Sequence, residues 1–113
     1  MTTTATTNQL TAAGAGSIST IVDDCLNQIN QNNYEACKVK IISDLKTHVQ
    51  KLIDMLDKVR GTEARKKMYL LRSFINSVVT FADRVAENCS SIVEHLTNIR
   101  LYGKEAEELL TQA

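Results

Sequence analysis

The sequence predicts an all-α fold, an up-down bundle of four helices at about 17–31, 33–60, 62–88 and 91–111, and three observations carry that expectation. Proline is absent and glycine occurs only four times, so the turn punctuation that a β-sandwich or barrel needs every ~8–12 residues is missing. Small or apolar residues recur at alternating steps of four and three from Ala64 through Met68, Leu71, Ile75, Val78, Ala82, Val85, Cys89, Ile92, Leu96, Ile99, Gly103 and Ala106 to Leu110, which is a heptad seam. Read as one helix, that seam would run roughly 73 Å at about 1.5 Å per residue, far more than the helix before it can cover.

Taken in order, Met1 to Gly16 is rich in Thr, Ala and Gly, uncharged, and holds only Leu10 as a large apolar residue, so a disordered tail is expected there. Residues 17–113 are expected to form a single helical-bundle domain. From Ser17, Ile18, Ile21, Val22, Cys25, Leu26 and Ile29 follow one helix face opposite Asp23, Asp24 and Asn27. The run Asn30 to Asn33 ends this helix, and Asn32 with Glu35 has the form of a capping box for the second. In helix two, Ile42, Leu45, Val49, Leu52, Leu56 and Val59 keep the three-four alternation, with Ile41, Ile53 and Met55 beside the seam. Gly61 suits a left-handed helix end, Lys58 and Arg60 suit the negative end of the dipole, and Thr62-Glu63 can cap helix three. A tight αα-hairpin results.

The C-terminal third has two solutions. In the first, Asn88 to Ser90 turns, Ser91 to Glu94 acts as a capping box, and a fourth helix packs back on the hairpin. In the alternative, a long continuous third helix over 62–111 oligomerises through its seam. The capping box puts the four-helix solution ahead.

With 113 residues, 43% hydrophobic and 23% charged, the chain fits one domain with a modest core. Net charge is zero but unevenly spread. Residues 38–72 carry ten bases against four acids, whereas the segments before and after are each acidic by three. Cys25, Cys37 and Cys89 are odd in number and widely spaced, without a CxxC pair or a neighbouring His. Reduced core thiols are expected, rather than a disulfide framework or zinc site. The start of the chain has neither the basic and apolar regions of a secretory signal nor the arginines of a transit peptide. No apolar run reaches the ~18 residues of a membrane span. A soluble, cytoplasmic protein without a transmembrane segment is the expectation.

Chemistry-bearing residues are few. His48 follows Asp44 by four residues and His95 follows Glu94, neither making the Glu-x-x-His pair of di-iron bundles; both fit the edge of a core. On one helix Cys89 and His95 would point about 120° apart. No phosphate loop or nucleophile elbow is present. Neither catalysis, metal nor cofactor is expected, and the chain reads as a non-enzyme. The turn at Gly61 gathers Lys58, Arg60, Arg65, Lys66, Lys67 and Arg72 at one hairpin tip, a candidate patch for anionic protein, phospholipid or RNA. Only Tyr69 is close enough to stack a base, which argues against nucleic acid. The strip Ile92, Leu96, Ile99, Tyr102, Leu109 and Leu110 is a candidate helix interface or bundle core.

Leu56-Asp57-Lys58-Val59 followed by Glu63 to Asp83 faintly resembles the last two helices of a BAG domain, the three-helix module that binds Hsp70 chaperones. The shared features are Arg65-Lys66 near the helix start and Ile75-Asn76 with Ala82-Asp83 at its end. The basic pair stands about one turn too far from Asn76, which itself replaces a Gln, so membership is not assigned. The resemblance implies a chaperone cofactor as one alternative. The leading expectation is a protein–protein interaction module, a scaffold or adaptor or a subunit of a larger helical assembly, whose partner is another protein or a second copy of itself.

Overall fold

Ser17 opens the first helix, α1 (Ile18–Asn30), with extended backbone angles and a hydroxyl that accepts the Thr20 amide at 3.4 Å. Its inner face buries Ile18, Ile21, Val22, Cys25 and Ile29. The computed structural model describes residues 17–112 apart from Arg60, so the tail expected over Met1 to Gly16 lies outside the described residues. Asn32 ends α1 rather than capping the next helix: its φ is 60°, the left-handed conformation that Asn tolerates. Its carboxamide oxygen accepts the Tyr34 hydroxyl at 2.8 Å. Asn33 holds the N-cap position and makes no side-chain capping bond, so the capping box expected of Asn32 and Glu35 does not form.

Helix α2 spans 34–59 in three continuous pieces, α-helical Tyr34–Lys40, a π-helical turn Ile41–Leu45 and α-helical Lys46–Val59. Its buried residues Cys37, Ile41, Leu45 and Val49 succeed one another by four. On a pure α-helix each such step drifts about 40° around the axis. The π turn rotates less per residue and brings the stripe back in line. In consequence Ile41 is fully buried and Ile42 is 41% exposed, the reverse of the expected seam.

Gly61, at φ 103° and ψ 165°, turns the chain into α3 (Thr62–Phe81), where the Arg65 amide donates to the Gly61 carbonyl at 3.1 Å. Helix three ends seven residues earlier than expected. A 3-10 turn, Ala82–Arg84, follows it, and α4 (Cys89–Gln112) then begins within the turn expected at Asn88 to Ser90. Ser91 therefore lies inside α4 and caps nothing. The Arg84 carbonyl accepts the amides of Glu87 and Asn88 and the Asn88 side-chain amide, at 3.2, 3.1 and 3.0 Å. The Asn88 carbonyl receives the Ile92 amide at 2.9 Å.

Each helix packs on its chain neighbours, α1 also meets α4, and α2 reaches α4 across the bundle. The longest dimension is 42 Å, close to the roughly 36 Å of a 24-residue helix. A continuous 62–111 helix would not fit, and the architecture is the four-helix bundle. The buried residues of all four helices form one cluster with Leu52, Leu56, Leu71, Ile92, Leu96 and Ile99 fully enclosed, each burial contributing about 1.5–3 kcal/mol. At Gly103 the first and last helices approach closely: a Cβ there would stand 2.8 Å from Ile18 Cγ1.

Candidate functional site

Lys58, Arg65, Lys66 and Lys67 stand within about two helical turns of Gly61, with Arg72 further along α3, and the structure sets acids among them. Lys67 on α3, its side chain 15% exposed, reaches Glu105 on α4 at 2.7 Å and Glu63 at 4.0 Å. Its ammonium also lies 5.5 Å over the Tyr102 ring. The hydrogen bond to Glu105 holds the Lys67 pKa above its ordinary value. Lys66 stands 3.7 Å from Glu63. Lys58, Arg65 and Arg72 are exposed and make no ion pair among the described residues. Arg60 lies outside those residues. Sequence reading missed the Lys67–Glu105 pair because its two members are far apart in the chain and meet only when α4 folds back.

The strip on α4 points inward. Ile92, Leu96 and Ile99 are fully buried and Leu110 is nearly so, while Tyr102 and Leu109 are half-buried against the core. Tyr102 stacks on Phe74 with centroids 5.9 Å apart, and Phe74 meets the His95 ring at the same distance. These residues hold α4 to its own chain and leave little for a partner to grip.

His48 has a partner that no local spacing shows. It is 3% exposed and places Nε2 3.4 Å from Glu107 on α4, while the same Glu107 oxygen accepts the Ile18 backbone amide at 3.0 Å. A carboxylate at the start of α1 satisfies a free helix amide and complements the dipole. Glu107 thus ties α1, α2 and α4 at a single point. Its neighbour Ala106 belongs to the heptad seam and is fully buried, and that seam position is the sequence signal that an acid here borders the core.

The surface with free apolar atoms lies elsewhere, on the outer side of α2 and α3. A groove of about 210 Å³ there is lined by Lys46, Gln50, Ile75, Asn76, Val79 and Thr80. Ile42 and Val39 precede Lys46 on α2 by four and seven residues and are not part of that lining. They are 41% and 56% exposed. The π turn is what brings Ile42 out. Past them, Lys38 on α2 pairs with Asp83 of the 3-10 turn at 3.1 Å, and that bond holds the Lys38 pKa above its ordinary value. Other exposed apolar side chains, Tyr69, Phe81, Val93 and Leu101, are spread over α3 and α4.

Among the described residues no group of His, Cys, Asp and Glu is placed to hold a metal ion. No helix among them is long and apolar enough to cross a membrane. Comparison of the chain with protein-family models, curated proteins and solved structures finds no match in any of the three. Arg65 and Asn76, which carry the resemblance to the BAG module, are both exposed on α3.

Proposed function

We propose that this chain is a non-enzymatic protein–protein interaction module, a scaffold or adaptor subunit, and that it binds through the outer groove of α2 and α3. The observation that supports this reading is the pair Val39 and Ile42, exposed on α2 ahead of a groove that has Ile75 and Val79 in its lining. Covering two such side chains is favourable, and the fold leaves no element of its own among the described residues to do it. The occupant that fits is an amphipathic helix of a protein partner, with apolar residues one turn apart and an acid to meet Lys46. Lys46 makes no ion pair among the described residues. Binding of anionic surfaces through the hairpin tip draws less support, because Lys66 and Lys67 are already engaged with Glu63 and Glu105.

A photoreactive side chain at position 42 tests the surface in cells that make the protein, with one at Leu101 on α4 as the control. The expected result is a discrete protein adduct from position 42 that Val39→Asp suppresses, and none from position 101. An adduct twice the chain's mass would identify the partner as a second copy. Equal labelling from both positions would overturn the assignment.

A further inference from the structure

Tyr69 leaves 73% of its surface in solvent, more than any other large hydrophobic residue among those described, and it has no place in the core cluster. Arg65 precedes it by four residues and Arg72 follows it by three, so all three share one face of α3. The arginines stand roughly 10 Å apart along the axis at about 1.5 Å per residue. Both are exposed, and neither makes an ion pair among the described residues. The core uses none of these three side chains. From Arg72 the same face continues by steps of four through Asn76 and Thr80, which line the groove of α2 and α3.

We infer that Arg65, Tyr69 and Arg72 bind an acidic helical segment of a partner protein, one with two carboxylates seven residues apart and an apolar side chain between them that covers the Tyr69 ring. The inference rests on the interaction-module reading above and extends it along α3: the segment that enters the groove continues past Arg72 to Arg65. Residues seven apart on a helix lie on one side, about 10 Å apart along its axis, so a helix packed lengthwise on α3 sets one acid against each arginine. A guanidinium takes a carboxylate through two parallel hydrogen bonds, which fixes the register as well as adding energy. Tyrosine and arginine are also the side chains in which the binding energy of an interface concentrates.

A run of phosphates is the poorer match to this face. Lys66 and Lys67, which would otherwise enlarge the positive patch, are engaged by Glu63 and Glu105. On α2, Asp54 and Asp57 follow the groove residue Gln50 by four and seven residues and are exposed, so acids stand along the same side of that helix. They repel each further charge of a polyanion. A segment with only two carboxylates, both set at the arginines, meets little of that repulsion.

The test titrates the full chain, by fluorescence anisotropy, into a fluorescein-labelled helical peptide of about 16 residues, the reach of α3 from Arg65 to Thr80. The peptide carries two Glu seven residues apart with a Leu between them, and a counterpart carries Lys at both positions. The Glu peptide is expected to bind about tenfold more tightly than the Lys peptide, a preference that fades with added salt. Arg65→Gln combined with Arg72→Gln should erase the preference, and Tyr69→Ala should weaken the Glu peptide about fivefold. Circular dichroism should be unchanged in both variants, because the three side chains lie outside the core. Equal binding of the two peptides, binding of neither, or a preference that survives in the double variant would overturn the inference. So would displacement of the Glu peptide by an equal concentration of oligothymidylate, which would assign the arginines to nucleic acid. Val39→Asp separates this result from the groove. Peptide lost with Val39→Asp but kept by the double arginine variant removes the arginine site and leaves the groove, and the opposite pattern removes the groove and leaves the arginine site.

Discussion

The chain reverses direction at Gly61 and again over 82–88, and it does so by different physical means. The first reversal is a property of the backbone. One glycine adopts φ 103°, and nothing lies within 4 Å of where a Cβ would stand. Positive φ is open to glycine at no steric cost, so the turn needs no neighbour to specify it. The second contains no glycine. Ala82 and Val85 are buried within it at 1% and 3% exposure. One carbonyl, that of Arg84, gathers three donors from Glu87 and Asn88, and Lys38 arrives from α2 to hold Asp83. This reversal is made by what it packs against. The first turn is set by the conformational range of one residue, whereas the second depends on the packing around it.

That contrast is most severely tested by Leu96→Asp. If the chain folds back at 82–88, Leu96 is core at 0% exposure and an unpaired charge there is buried. The variant should be unfolded at every protein concentration, by circular dichroism together with equilibrium sedimentation. A folded monomer derived from a wild-type oligomer would instead restore the straight helix.

The next effect in size separates the two turns directly. Val85→Ala removes buried methyl groups and should cost about 2 kcal/mol by urea unfolding. Gly61→Ala meets no atom and should cost about 1 kcal/mol through backbone strain alone. If Val85→Ala proved neutral while Gly61→Ala was the more damaging, the packing origin of the second reversal would fail.

Smallest of all is the effect of Lys38→Ala. The hydrogen bond to Asp83 raises the Lys38 pKa above 10.5, so whatever the pair contributes is fully present below that pH and fades only as pH rises through the raised value. Between about pH 6 and 9 the difference in melting temperature between wild type and variant should therefore be small and constant. A difference that grows or vanishes within that window would mean that another group holds the second turn.

Much of the molecule was legible in its letters. The seam from Ala64 to Leu110 is buried at almost every step, with Met68 and Cys89 half-covered, and it stays in phase straight through the second reversal. That continuity hides the turn from the sequence: Val78, Ala82, Val85, Cys89 and Ile92 alternate as on a helix although the helix has stopped. Periodicity records which side of each residue faces the core, and it carries no information on whether the axis has turned back. Asn32 misled for a related reason, since Asn serves equally as an N-cap and as a left-handed residue, and only the Tyr34 hydroxyl that it accepts tells which applies here.

What the sequence determined by itself is the partition of each helix into an inner and an outer face, together with the one turn that a glycine dictates. Both follow from local chemistry: 3.6 residues per turn and the conformational range of a single residue. The tertiary structure decided the rest. It chose Ile41 over Ile42 through a π turn, and it paired Lys67 with Glu105 and His48 with Glu107 across the bundle. Each of these depends on two helices arriving at one place, and the distance between residues that are remote in sequence is fixed only when the whole core closes.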